Sequence, residues 1–325
     1  MQTNFENKVT ETYERAFRRG ELYFVESTIA NITEKDIEVF LIITQRLQFE
    51  IRFAPSLAKK PTAEQTEQSP LKHKADPFAP YNQELFVQEF ENHVILLNKF
   101  CVVPNHILVV TKEYEEQSNP LNQEDLATMW YCMMQTKSQS TIAFYNCGSL
   151  SGSSQPHKHM QVIPLPSNVR FSPPINAIIY KYQNKMPGEI FNFSELPYVH
   201  YVTLLDPQQL SGHHGHNYKE TVSQYLTENY FSLVNTMAEG FRASSLTDPF
   251  SYNFLMTHTW MMIVPRRSEK YGQISVNSLG FAGMLLVKSE EELEFVKNVG
   301  LLRVLEGVAV SKDKDQLIDN IHISV

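Results

Sequence analysis

The sequence predicts an α+β fold, mainly antiparallel sheet with helices packed outside it. Three observations carry this expectation. Leu22 to Ser27 and Glu38 to Phe53 alternate in β fashion around a polar link with no helix between them, the pattern of a meander rather than of βαβ units. Apolar stripes at helical spacing are confined to a few stretches, near the N-terminus, after Pro120 and after Tyr218. The order of strands, helix and strands occurs in both halves, which hints at a pseudo-repeat, although no residue-level self-similarity stands out.

Composition narrows the class of protein. With 42% hydrophobic and 20% charged residues, the 325-residue chain is ordinary globular material, long enough to bury a full core. A formal charge of −8 disfavours general nucleic-acid affinity, which rests on broad positive surfaces, but leaves room for a local polyphosphate site. Cys101, Cys132 and Cys147 form an odd, scattered set that fits a reducing compartment better than disulfides or a cysteine-based zinc site. The sequons at Asn31 and Asn192 are therefore not expected to be glycosylated. No apolar run approaches the roughly 18 residues of a membrane span, and MQTNFENK lacks a basic-then-apolar signal. The expectation is a cytoplasmic protein, with the nucleus also open.

Taken in order, Asn4 to Arg19 places Phe5, Val9, Tyr13 and Phe17 at spacing four, with Gly20 as a stop, and reads as a packing helix. Lys59 to Glu84 sets Pro61, Pro70, Pro77 and Pro80 among polar residues and reads as a long, mobile loop within one domain spanning 1–325. Val94 to Thr111 reads as two strands joined at Val103-Pro104-Asn105, with the polar pair Asn98-Lys99 interrupting the first. Pro120 and Asn122 start a helix whose apolar face runs through Leu126, Met129, Trp130 and Met133. Arg170 to Leu196 is irregular. Tyr198 to Leu205 alternates again around His200. His213, His214 and His216 sit beside glycines without the partners of a closed zinc site, which favours a flexible loop. Tyr218 to Arg242 is a long helical pattern, followed by β-like runs at Tyr252 to Thr257, Trp260 to Val264, Ile274 to Asn277 and Ala282 to Val287.

The stretch on which the chain's chemistry centres is Thr141 to Pro166, which reads strand, tight loop, strand. Gly148, Ser149, Ser151, Gly152, Ser153 and Ser154 can surround a phosphate, because glycines let the backbone approach closely. His157, His159 and Gln161 follow at spacing two, which on a strand sets all three in one row. A neutral imidazole attacks phosphorus without prior deprotonation, a neighbouring histidine can fix its tautomer, and a glutamine amide can donate to a phosphoryl oxygen without acting as a base. On its own, a His-x-His pair is more often a surface feature or a metal site; the adjoining loop shifts the balance toward catalysis.

Asn146, Gly148, Ser151-Gly152-Ser153-Ser154 and His157-Lys158-His159-Met160-Gln161 resemble the signature of the fungal diadenosine tetraphosphate phosphorylases. These are ATP adenylyltransferases of the histidine triad and galactose-1-phosphate uridylyltransferase superfamily. Similar blocks run from Pro55 to Lys288: Pro55-Ser56-Leu57 with Lys60-Pro61, Asp76-Pro77-Phe78, Leu96 to Phe100, Tyr252-Asn253, Trp260, Val264-Pro265-Arg266, and Asn277-Ser278 through Gly283-Met284 to Lys288. Cys101 replaces a proline of the pattern, Leu279 a threonine, and Gly280-Phe281-Ala282-Gly283 a Gly-Tyr-Cys-Gly.

The resemblance implies a histidine triad-like core doubled in one chain. It implies cleavage of diadenosine tetraphosphate with inorganic phosphate to ATP and ADP, and the reverse, through an adenylyl-histidine. His159 would be the nucleophile, His157 would orient and polarise it, and Gln161 would bind phosphoryl oxygens. Lys60, Asn98, Lys99, Asn146, Gly152, Ser153, Ser154, Asn277, Ser278, Leu279, Met284 and Lys288 would line the substrate site. No protein metal site is expected and no permanently bound cofactor; a divalent cation, magnesium, would arrive with the polyphosphate. The expected partners are diadenosine tetraphosphate, ATP, ADP and phosphate, with neither nucleic acid nor membrane, and the expected state is a monomer. A hydrolase releasing AMP is one alternative, and a nucleotidyl-sugar transferase a weaker one, since the flanking blocks match the adenylyl branch. The other is an inactive nucleotide-binding sensor, motivated by Leu279 and by the end at IHISV, where the family carries a further tail.

Overall fold

The computed structural model describes residues 4–40, 44–55, 57, 76–137, 140–167, 172–211, 218–243 and 250–312. Its centre is a nine-stranded sheet. The strands lie in the order Ile190–Phe191, Tyr201–Leu204, Trp260–Pro265, Tyr252–Met256, Thr141–Cys147, His159–Pro164, Ile107–Thr111, His93–Leu97 and Phe86–Phe90. Each neighbouring pair is antiparallel, so the fold is α+β as the alternating runs predict.

The two halves of this sheet repeat one another, and here the sequence reading needs correction. Val162 pairs with Ile107 on one side and Ala143 on the other, while Ile263 pairs with Tyr201 and Phe254. With that register, HKHMQVIP from His157 to Pro164 lies over HTWMMIVP from His258 to Pro265, and His106 over His200. Phe144 and Leu255, which correspond, pair with each other, so the pseudo-two-fold passes between them. Self-similarity at residue level is therefore present; loops of different length between the strands shift its offset and hide it from a search at one fixed period.

Alternation along the central strands sends side chains to two cores. Ala143, Tyr145, Met160 and Val162 face one core built with the helices Phe5–Arg18, Gln123–Gln135 and Tyr218–Ala243. Ile142, Phe144 and Ile163 face the other, covered by the sheet of Thr28–Phe40, Thr44–Phe53 and Met284–Val287 and by the helix Leu301–Val308. His159 and Gln161 share the parity of Ile163 and belong to this second face. The helix after Asn122 starts with a capping box, Asn122 and Asp125 each accepting from the other's backbone N–H, worth about 1 kcal/mol.

Other expectations are corrected locally. Thr28–Phe40, which contains the polar link, is itself a strand, and Tyr23–Phe24 pairs in parallel with Phe100–Cys101 instead of joining a meander. Met284–Val287 likewise pairs in parallel with the strand ending at Phe53. The first helix buries Phe5, Val9, Thr12 and Ala16, which leaves Phe17 52% exposed and stacked on Tyr13. Glu290–Val299, capped by the Ser289 hydroxyl, and Leu301–Val308 are helices that the strand-centred reading passed over. The His213, His214, His216 cluster and most of the proline-rich loop, Lys60 included, lie outside the described residues.

Candidate active site

His159 is the first residue of its strand and is 4% exposed. Its Nδ1 lies 2.8 Å from the carbonyl oxygen of His157. A carbonyl only accepts, so the proton sits on Nδ1 and the lone pair on Nε2. Burial pushes its pKa down to about 4, the carbonyl opposing this and the neighbouring His157 adding to it. The result is a neutral imidazole with one nucleophilic nitrogen at physiological pH.

Two residues along, Gln161 is oriented from behind. Its Oε1 accepts from His106 Nε2 at 3.0 Å, and His106 Nδ1 accepts from the Asn98 amide at 3.3 Å. Asn98 is itself fixed by accepting from the Phe100 N–H at 3.1 Å. This chain occupies the oxygen of the Gln161 carboxamide and leaves its NH2 as a donor. Nothing in the sequence marks His106 for this support.

Asn146 is treated the same way. Its Oδ1 accepts from Asn253 Nδ2 at 2.8 Å, Ser278 N at 2.9 Å and Ser278 Oγ at 2.7 Å, so its NH2 too remains a donor. Asn253 is held in turn by Arg266, whose Nη1 donates to Asn253 Oδ1 at 2.5 Å, to Val276 O at 2.7 Å and to Ser151 O at 3.3 Å. The buried guanidinium thereby ties the glycine and serine loop to the segment leading into Asn277. Burial lowers its pKa to about 9, with Glu269 opposing, so it keeps a positive charge at neutral pH beneath the loop. Gly152 sits at φ +78, and a Cβ there would lie 2.4 Å from Val276 O, which is why the loop needs glycine at this point.

The His157 ring does not touch its neighbour through a hydrogen bond. Its Nδ1 meets Asp76 Oδ2 at 2.6 Å and its Nε2 meets Thr111 O at 2.9 Å and Thr111 Oγ1 at 3.0 Å. With both nitrogens engaged elsewhere, the ring makes no hydrogen bond to His159, and its link to that residue is the main-chain carbonyl. Phe78, two residues after Asp76, sets its ring against both imidazoles, 5.7 Å from His157 and 5.4 Å from His159 between centroids. On the opposite face Lys158 is buried, pairing with Asp125 at 2.7 Å and Glu115 at 3.1 Å. Burial works to raise the Asp125 pKa, but His93 and Lys158 outweigh it and hold the carboxyl below its usual value.

The residues expected from sequence are thus brought together unevenly. His157, His159, Gln161, Asn146, Gly152 and Ser278 form one connected centre, with Asn98 behind it. Asn277 caps the short helix Ser278–Phe281 by accepting from Leu279 N, and Leu279 packs half-buried on the second core. Ser153 turns its hydroxyl to Gln155 O, and Ser154 is exposed. Lys99 extends toward the Tyr23 ring, Met284 is buried opposite Glu50, and Lys288 is half-buried at the end of the same strand. Gln117, His106, Thr111 and Arg266 were given no site role by the sequence, and Asp76 and Phe78 only a place in a block that resembles the family's.

Residues 1–181 match the model for the Ap4A phosphorylase N-terminal domain, and residues 194–311 that for the ATP adenylyltransferase C-terminal domain. The chain is 30% identical over 315 residues to diadenosine 5',5'''-P1,P4-tetraphosphate phosphorylase 2 of Saccharomyces cerevisiae, across 90% of each chain. It superimposes on the crystal structure of yeast Ap4A phosphorylase Apa2 with a TM-score of 0.76 at 27% identity, covering 96% of both chains. The same yeast enzyme in complex with Ap4A gives 0.75, covering 96% of this chain and 99% of that one. On these matches of sequence and fold, this chain belongs to the Ap4A phosphorylase family of nucleotidyltransferases.

Proposed function

We propose that this enzyme cleaves diadenosine tetraphosphate with inorganic phosphate to ATP and ADP, and runs the reverse synthesis, through an adenylyl-histidine. The observation that carries the reading is His159, neutral, with its proton held on Nδ1 by the His157 carbonyl. Nε2 attacks the α-phosphorus, the bond from that phosphorus to the bridging oxygen breaks, and ATP leaves with the electron pair. An oxygen of inorganic phosphate then attacks the same phosphorus, the P–N bond breaks, and ADP leaves.

Gln161 and Asn146 donate their free NH2 groups to the phosphoryl oxygens as charge builds in the transition state. The loop from Gly148 to Ser154, over the charge of Arg266, receives the polyphosphate, and Lys60, Lys99 and Lys288 supply cations around it. His157 orients the nucleophile through its carbonyl. Because Gln161 is an amide engaged by His106, it cannot activate water as a third histidine would, so the adenylyl group waits for phosphate. This favours phosphorolysis over hydrolysis to AMP. Magnesium would arrive with the polyphosphate and neutralise charge on its oxygens. The enzyme acts as a cytoplasmic monomer on small nucleotides.

Intact mass of the protein after incubation with diadenosine tetraphosphate and magnesium, without phosphate, tests the reading. One added adenylyl group, absent from His159→Ala and discharged as ADP by phosphate, is the expected result. Free AMP without an adduct would replace it with the hydrolase, and tight binding without products with the sensor.

A further inference from the structure

We infer that Gln117 is a positioning residue that sets the separation of His159 and Asn146, an inference that rests on the function proposed above. The paired strands Thr141–Cys147 and His159–Pro164 are in register from Thr141 with Pro164 to Phe144 with Gln161, and the pairing stops there. Its continuation would set Asn146 directly opposite His159. At that point the carboxamide of Gln117 stands between the two main chains. Its Oε1 accepts from His159 N–H at 2.9 Å, and its Nε2 donates to Asn146 O at 2.8 Å and to His159 O at 3.2 Å. One side chain takes the hydrogen bonds through which the two strands would otherwise close on each other.

The amide is held rigidly for this task. Gln117 is 5% exposed, and its own N–H donates to Pro156 O at 2.7 Å. Its carbonyl accepts from Gly148 N at 3.2 Å and from the Tyr145 hydroxyl at 2.7 Å, so both ends of the phosphate loop anchor it. The side chain therefore wedges apart the backbones that carry the nucleophile and the Asn146 donor. The gap fixes where Nε2 of His159 and the Asn146 amide converge on one phosphorus. Gln117 touches no substrate; it acts through the two main chains.

The chemistry of the wedge separates it from a filler of the same size. It needs an acceptor for one N–H and a donor for two carbonyls, which an amide supplies and a thioether does not. Gln117→Met keeps length and volume without either. Gln117→Glu keeps the acceptor and regains a donor only when its carboxyl is protonated, which a site facing two carbonyls favours.

The test uses the full chain and measures the rate of adenylyl-histidine formation from diadenosine tetraphosphate, with KM for the dinucleotide and thermal melting alongside. Gln117→Met is expected to slow adenylylation about 30- to 100-fold while KM moves less than about threefold, as for a nucleophile misplaced by a fraction of an ångström. Gln117→Glu is expected to lie between Met and the parent and to approach the parent as pH is lowered toward about 6. A folded Met variant reacting within about threefold of the parent would overturn the inference. So would a Glu variant with no pH-dependent recovery, or failure of both variants to fold, since Gln117 would then serve the fold alone. An unadenylylated parent would overturn the proposed function and this inference with it, whereas parent-like variants beside an adenylylated parent overturn the inference alone.

Discussion

Nδ1 of His159 donates to the main-chain carbonyl of His157 across 2.8 Å. His157 thus contributes its backbone to the tautomer of His159, while its ring is bound by Asp76 and Thr111. Side-chain identity at 157 and nucleophile orientation at 159 are separable, because the carbonyl belongs to any residue placed there.

The pH response follows from the burial of His159. Its pKa of about 4 means that Nε2 keeps its lone pair well into acid, so the adenylylation rate should stay level down to about pH 6 and fall only on approach to about pH 4. Stability behaves differently. In the unfolded chain the same imidazole takes its proton near the ordinary value of 6.5, and His200, lowered to about 3 chiefly by burial, does likewise. Between these values the unfolded state binds more protons, so the contribution of both residues is full above 6.5 and is lost as pH falls below it. Urea midpoints measured at about pH 7 and about pH 5 should show the drop. Equal midpoints, or a rate that halves near 6.5, would contradict buried neutral imidazoles.

Gly152→Ala and Gly20→Ala make a matched pair. Both glycines have positive φ, +78 and +70, but a Cβ at 152 lies 2.4 Å from Val276 O while one at 20 meets nothing within 4 Å. Gly20→Ala should cost about 1 kcal/mol of stability from the left-handed backbone alone and leave turnover unchanged. Gly152→Ala adds the clash, so it should cost about 2 to 3 kcal/mol and push the loop away from Asn277, raising KM for the dinucleotide. Melting and initial-rate kinetics on both variants decide, and equal effects would mean that the loop does not depend on its contact with Val276.

How much of this was legible in the sequence depends on where each partner lies. His159, Gln161 and Asn146 could be read because a strand's alternation sets side chains in a row and the glycine loop adjoins it. Gln117 could not, since its role is set by the main chains of residues 29 and 42 positions away, and sequence carries no signal for a carboxamide wedged between strands. His106 and Arg266 escaped a role for the same reason: each acts on another side chain, His106 on Gln161 and Arg266 on Asn253. The antiparallel sheet followed from local patterning. The parallel pairs at Tyr23–Phe24 and Met284–Val287 did not, because each joins segments far apart in the chain.

Asp76 makes a prediction about the cover over the nucleophile. Its Oδ2 holds His157 and its Oδ1 accepts from Phe78 N at 2.9 Å, so one carboxylate fixes both the histidine and the ring lying on His159. Asp76→Ala removes both bonds. Loss of a charge-assisted bond worth about 1.5 kcal/mol corresponds to about tenfold in kcat/KM. Faster hydrogen exchange over residues 76–82 should accompany it. Wild-type kinetics with that exchange increased would show that Phe78 covers His159 without affecting its reaction.

The pseudo-two-fold raises the question of whether the chain has one reactive histidine or two. His159 corresponds to Trp260, and in the second half the space over that position is filled. The Trp260 indole is buried and donates to Asn176 Oδ1 at 2.8 Å, while His200, the counterpart of His106, is closed in by Phe193, whose N–H donates to its Nε2 at 2.8 Å. Phe281 and Tyr198 pack edge to face beside it. A histidine at 260 would meet no glycine and serine loop, and Met262 stands where Gln161 donates. Trp260→His should therefore cost about 2 to 4 kcal/mol for the lost ring volume. It should leave adenylylation at one group per chain, and the double variant with His159→Ala should carry none. A second adenylyl group, or any adduct on the double variant, would mean that the halves differ by the nucleophile alone and that the filled core still admits a nucleotide.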